Sequence, residues 1–200
     1  MNDGKPTPDS GRTPLRITQY VLSLISSSFF CIGNYMIGWG SYDGGQMIVR
    51  PFAAITAVDT LLGRYWETDI PMFIHHLFAI AACIYAMTLE PENFSEFYVM
   101  MSSYLSLSEI STIFNSIRWF YRGTWARTHA DRVFGIAFLI IRGISTYGCI
   151  HTLVTDKDHD ATTKAGIGIG IVLPYTILNN YWGGLIIKKI LLSSFKPKET

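Results

Sequence analysis

The sequence predicts an all-α fold: a polytopic membrane bundle of six transmembrane helices, N-in and C-in. Three observations carry this expectation. Hydrophobic residues make up 49% of the 200-residue chain and charged residues only 16%, well under the roughly 25% charge of a soluble domain. Several apolar stretches reach about 18 residues or more, the length that crosses a bilayer. Basic residues gather on one side of the topology that six spans would impose. A formal net charge of +1 leaves no global field to attract an anionic polymer, so no nucleic-acid partner is expected.

In chain order, a polar N-terminal arm (1–16) precedes a first helix at 17–39. Its apolar run is longer than a signal-peptide core and follows a long polar stretch, so it reads as a retained helix. The second span, 47–63, carries Arg50 and Asp59, and the third covers 70–89. The fourth, 96–117, holds Ser102, Ser103, Ser106, Ser108, Glu109, Ser111 and Thr112. Helices as polar as the second and fourth must turn a side toward other helices. A fifth span at 133–154 and a sixth at 166–192 complete a helical unit over 17–192, followed by a basic tail, 193–200.

With an even number of spans, both termini and the second and fourth loops share one side. That side collects twelve of the sixteen Lys and Arg residues, including Arg64, Arg118, Arg127, Lys188 and Lys189. The opposite side has Arg50, Lys157 and Lys164, with Arg142 left inside the membrane. The positive-inside rule therefore places this basic side in the cytosol. Trp39, Trp66, Trp119, Trp125 and Trp182 lie near predicted span ends or in the fourth loop and read as interfacial aromatics. Cys31, Cys83 and Cys149 lie in apolar runs without CxxC spacing and read as small buried hydrophobes.

An ionisable group at the bilayer centre costs about 2.5 to 3.5 kcal/mol on insertion scales, so each needs a partner or a wet cavity. Asp59, His75, His76, Glu109 and Arg142 are in that position. The adjacent histidines lie about 100° apart on a helix, so one is expected to face a cavity while the other bonds a neighbouring helix. Their spacing is wrong for helical chelation, and neither a metal nor a cofactor is expected. Ser108, Ser111, Thr112, Asn115 and Arg118 recur at three- and four-residue steps beside Glu109, a polar stripe down one side. Glu109 could pair with His75, His76 or Arg142, and the sequence does not choose. Asn179 and Asn180, following Pro174, could add amides. The same residues can equally serve as interhelical glue. Arg118, where its span meets the basic loop, reads as an interfacial anchor. The serines lie within a span and no GxSxG elbow exists, which argues against a serine hydrolase. The run GIGIGIVL, 166–173, follows no strand and reads as small residues packing between helices.

The segments IPMFIHHLFAIAACIYAMTL (70–89) and LSEISTIFNSIRWF (107–120) resemble the TLC domain, the family of TRAM, Lag and CLN homology. The resemblance extends to VDTLLGRY around Asp59, to Arg142, and to a closing element at Asn180, Tyr181 and Trp182, covering about 47–190. It is closer to the small TLC-domain-containing proteins than to ceramide synthases. The resemblance implies a helix bundle enclosing a cavity for a lipid chain, in the endoplasmic reticulum or related endomembrane. In ceramide synthases paired histidines promote acylation of a sphingoid base by acyl-CoA, a step that an imidazole base oriented by a carboxylate suits. Those enzymes carry an aspartate-containing element where this chain has only Glu109 between Leu107 and Ser111.

Three functions follow. The leading one is a lipid-handling protein that binds, senses or regulates acyl lipid or sphingolipid composition, with catalysis left open. His75, His76 and Glu109 would form the polar end of its cavity. The alternatives are an accessory subunit whose protein partners form a larger membrane complex, with the mitochondrial inner membrane as the alternative compartment, and a ceramide N-acyltransferase using the histidine pair and acyl-CoA. Lys196 and Lys198 match a KxKxx retrieval signal, or else a basic membrane-adjacent tail. Asn93-Phe94-Ser95 is a formal sequon close to the membrane.

Overall fold

The computed structural model describes residues 14–36, 41–93, 95–121 and 124–194. Lys196, Lys198, Trp39, part of the sequon and most of the polar arm and basic tail lie outside the described residues. Helices dominate the rest: α1 (Pro14–Met36), α2 (Tyr42–Gly63), a short α3 (Tyr65–Thr68), α4 (Ile70–Thr88), α5 (Glu96–Phe120), α6 (Arg127–Thr155), α7 (Ala161–Ile167) and α8 (Leu173–Ser194). A π-turn, Gly168–Val172, fuses α7 to α8, so each of the six expected spans corresponds to one long helical rod. Among the described residues there is no strand.

Local chemistry sets the boundaries. The Ser41 hydroxyl caps α2 by accepting from the Gly44 amide, and the Asp69 carboxylate caps α4 by accepting from the Met72 amide. Arg64, at φ 46° and ψ 41°, turns the chain sharply between α2 and α3. The fifth rod starts at Arg127 rather than 133, adding a polar turn whose Asp131 pairs with Arg127 at 3.0 Å. The sixth starts at Ala161 because Asp160 caps it, accepting from the Thr163 amide at 2.6 Å.

The glycine run corrects the sequence reading. Only Gly168 is closely packed, with Leu153 3.1 Å from where a β-carbon would stand. Gly166 and Gly170 face open space. The run instead forms the π-turn, in which the Leu173 amide bonds to the Gly168 carbonyl five residues back. That widened turn immediately precedes Pro174, which has no amide hydrogen to offer a regular helix.

The rods form a closed ring: α1 packs on α2, α2 on α4, α4 on α8, α8 on α6, α6 on α5, and α5 returns to α1. Two apolar clusters sit on opposite flanks. One joins Phe97 and Met101 of α5 to Cys149, Ile167, Val172 and Tyr175. The other joins Phe30, Ile48, Phe52, Ala53 and Cys83, with the Phe30 and Phe52 rings stacked at 4.1 Å. Three rods are long and apolar enough to cross a membrane: Ile70–Thr88, Arg127–Thr155 and Ala161–Leu191. The polar residues of α1, α2 and α5 turn inward; Ser26, Ser27, Asn34, Asp59, Thr60, Ser106, Ser108, Glu109 and Ser111 are all buried. Outward faces are apolar, as with Val133, Ile136, Ile140 and Ile144 along α6. This inside-out distribution is that of a chain solvated by hydrocarbon.

Two tryptophans depart from the interfacial expectation. Trp119 is buried and stacks on Tyr20 at 4.3 Å, and Trp182 points into the ring against His75. Trp125 is 89% exposed, as an interfacial anchor would be.

Where α5 meets α6, the Tyr104 ring fills the space over Gly148 and the Tyr104 carbonyl accepts from Ser145. Gly148→Ala would drive a methyl group into that ring and is expected to destabilise the bundle by about 2 kcal/mol. Gly143→Ala, on the same helix with nothing within 4 Å, should be neutral or slightly stabilising. Thermal unfolding in detergent compares the two.

Candidate functional site

The ring encloses two chambers. The larger, about 590 Å³, is the more polar of the two, and its walls include nine of the residues singled out from sequence: Asp59, His75, His76, Glu109, Ser111, Thr112, Asn115, Arg118 and Arg142. The smaller, about 150 Å³, is mostly apolar and lies toward Phe97, Tyr98 and Leu89; Ser108 lines this one. Phe52, His75, Ala79 and Glu109 line both chambers and so mark their junction.

Both histidines border the larger chamber, and His76 also bonds a neighbouring helix. His75 meets the Trp182 ring edge-on at 5.3 Å, and the two imidazoles lie 5.8 Å apart. His76 is tied to α2: its Nδ1 lies 2.8 Å from the Thr60 hydroxyl, which in turn donates to the Thr56 carbonyl at 2.6 Å. Because that carbonyl takes the Thr60 proton, the hydroxyl oxygen accepts from His76 Nδ1–H. The tautomer assigned by this network leaves Nε2 with a bare lone pair. Nε2 lies 3.9 Å from Asp59 Oδ2, beyond hydrogen-bond reach. The Tyr65 hydroxyl hydrogen-bonds to the Asp59 carboxylate, yet Asp59 Oδ1 is buried without a partner.

Of the pairings the sequence left open for Glu109, with His75, His76 or Arg142, none is an ion pair among the described residues. Glu109 accepts from Ser27 of α1 at 2.9 Å. Arg142 is surrounded by neutral acceptors instead. Its Nε donates to Ser111 at 2.8 Å, one terminal nitrogen to Asn179 at 3.0 Å, and the other to Thr112 at 3.4 Å. The α5 serines also differ from a simple donor stripe, because Ser103, Ser106, Ser108 and Ser111 each donate to a backbone carbonyl of their own helix. Their protons are thus committed locally, and the residues act largely as small spacers for close helix approach.

Arg118 reaches the chamber from the C-terminal end of α5. Its guanidinium lies over Phe134 at 4.5 Å and 3.6 Å from Asp131, whose carboxylate also meets Arg127 and Lys189. It lines the larger chamber with the rest of the polar stripe of α5.

One sequence assignment moves by a residue. Asn179 is buried and bridges Arg142 to Thr146, whereas Asn180 is exposed on the other side of α8. The chain order could not separate them, since successive helical residues differ by about 100° in direction. Ser27, Thr60, Tyr65 and Trp182 were not assigned to the site from sequence. Ser27 sits in an SSS run within an apolar helix, the one local signal of an inward face. Thr60 is four residues from Thr56, a spacing that gained meaning only when α4 was placed beside it.

The family described as the TLC domain matches residues 14–188. No curated protein and no solved structure matches the chain.

If Asn179 holds Arg142, Asn179→Ala should lower stability by about 1 kcal/mol, two membrane hydrogen bonds at ~0.6 kcal/mol each. Asn180→Ala should leave thermal unfolding unchanged.

Proposed function

The chain belongs to the TLC domain family, and from that premise we propose that it is a lipid-handling membrane protein that holds one acyl lipid across its two chambers. The headgroup would sit in the more polar chamber and an acyl chain in the apolar one. The observation that carries this reading is the junction: His75 and Glu109 border a more polar space of about 590 Å³ and an apolar one of about 150 Å³ at once. A molecule polar at one end and apolar at the other matches that sequence of surroundings, whereas a wholly apolar guest would leave buried polar groups unpaired.

The proposal includes six spans, cytosolic termini and residence in the endoplasmic reticulum. Six rods of bilayer length and the one-sided gathering of basic residues support it. A tag after Thr200 should then be cut by protease added to sealed microsomes, and protection of that tag would reverse the orientation.

A second reading, N-acyltransfer from acyl-CoA, is favoured by one observation. The bare Nε2 of His76 faces the cavity near a carboxylate, the arrangement a general base needs. Turnover of a sphingoid base and acyl-CoA that disappears in His76→Ala would move the function to this class.

For the binding role, native mass spectrometry of the purified chain should detect one retained acyl lipid. Ala79→Phe, which fills the junction, should lower occupancy about tenfold. His75→Ala with His76→Ala should also reduce it. Unchanged occupancy in both variants would end the proposal.

A further inference from the structure

The smaller chamber is short for an acyl chain. Its volume is about 150 Å³, and an apolar cavity of about that size accepts a guest like benzene, about six carbons. A membrane acyl chain has to cover one leaflet of a hydrocarbon core about 30 Å thick, which takes roughly twice as many carbons. The larger chamber does not suit the remainder. Its walls carry Asp59, Arg118 and Arg142, and methylenes packed there would desolvate charged groups.

The wall of the smaller chamber offers another way out. α4 packs on α2, α3 and α8, whereas α5, α7 and the π-turn are not among the segments packed against it. His75 and Trp182 join α4 to α8, with their rings 5.3 Å apart. Further along α4, the chamber is bounded by Phe78, Ala82 and Tyr85 on one side and by Ile171 of the π-turn and Tyr175 of α8 on the other. Phe78 and Tyr85 line the chamber and are each 37% exposed, so they stand at an edge of the wall. The far limit of this gap is set by the Tyr85 and Tyr98 hydroxyls, 3.0 Å apart, and by His159 against the Tyr98 ring at 5.3 Å. Across from α4, a β-carbon at Gly170 would meet nothing within 4 Å, so no packed side chain fills the rod at that point. Outward side chains of the two rods, Leu77 and Ile84 on one and Ile169 and Leu173 on the other, are exposed and apolar. A gap flanked by such residues opens on hydrocarbon.

We infer that the smaller chamber is a passage and not a closed pocket: a bound acyl chain enters it at the junction, leaves between α4 and the π-turn, and continues into the bilayer. Recognition then covers about the first six carbons of the chain and is blind to its length beyond them. The inference rests on the lipid-binding reading and deepens it, because it fixes what the protein measures in an acyl chain and what it ignores. Ala82, small and on the edge of the gap, keeps the exit open.

The test is native mass spectrometry of the full chain in neutral detergent. The chain is equilibrated with phosphatidylcholine, phosphatidylethanolamine and phosphatidic acid, each with acyl chains of six, twelve and eighteen carbons. Within whichever headgroup class is retained, the wild-type protein should hold the twelve- and eighteen-carbon forms equally, to within about threefold. The outer carbons lie in detergent whether the lipid is bound or free. A closed chamber would separate the two lengths by about tenfold or more. Ala82→Trp, which puts a ring in the gap, should lower retention of the twelve- and eighteen-carbon forms about tenfold relative to the six-carbon form. A larger than threefold wild-type preference between twelve and eighteen carbons would overturn the inference while leaving lipid binding intact. Wild-type-like retention of all three lengths by folded Ala82→Trp would do the same. Retention of none of the lipids would overturn the lipid-binding reading as well. The wild-type comparison decides even if Ala82→Trp fails to fold.

Discussion

Hydrocarbon offers no hydrogen bonds, so every polar side chain on a membrane-embedded helix must find its partner within the protein. That constraint organises this chain. Ser27, Asn34, Thr60, Glu109, Ser111, Arg142 and Asn179 all turn inward and bond there, while isoleucines and leucines take the outer faces. Once the polar faces of α1, α2 and α5 are directed to one axis, the ring closes around them, and the apolar contacts divide into two clusters on its flanks.

The way these groups are satisfied decides whether the interior is solid or hollow. A direct Glu109–Arg142 salt bridge would spend the two charges on each other. Instead each charge is held by neutral residues, Glu109 by α1 and Arg142 by α5 and α8. The charges serve as fixed parts of the wall. The serines of α5 reinforce this, since their protons return to their own backbone and their small volume admits α1 and α6 closely. Glue and cavity are therefore not competing descriptions of the polar residues. Arg142 and Asn179 stitch helices, and the stitched wall bounds the larger chamber.

Much of this was legible residue by residue. The spans at 70–89 and 96–117 reappear as α4 and α5 nearly to the residue, because apolar length and flanking polar residues are local properties. The convergence of Asp59, the histidines, Glu109 and Arg142 followed from the energetic cost of isolated charge. The pairings did not follow: Asn179 rather than Asn180 reaches Arg142, Trp182 faces inward rather than to an interface, and GIGIGIVL makes a π-turn rather than a packing stripe. Each of these depends on helix rotation, which no single segment records.

The sequence by itself determined that the chain is helical, where its rods run, and which side chains hydrocarbon would not tolerate, since length, apolarity and charge are sums over neighbouring residues. Only the tertiary structure decided which partner each polar group takes, and that the space between them is a more polar chamber bordering an apolar one. The reason is geometric: a rotation of about 100° per residue makes the partner of a side chain a property of how six helices face one another.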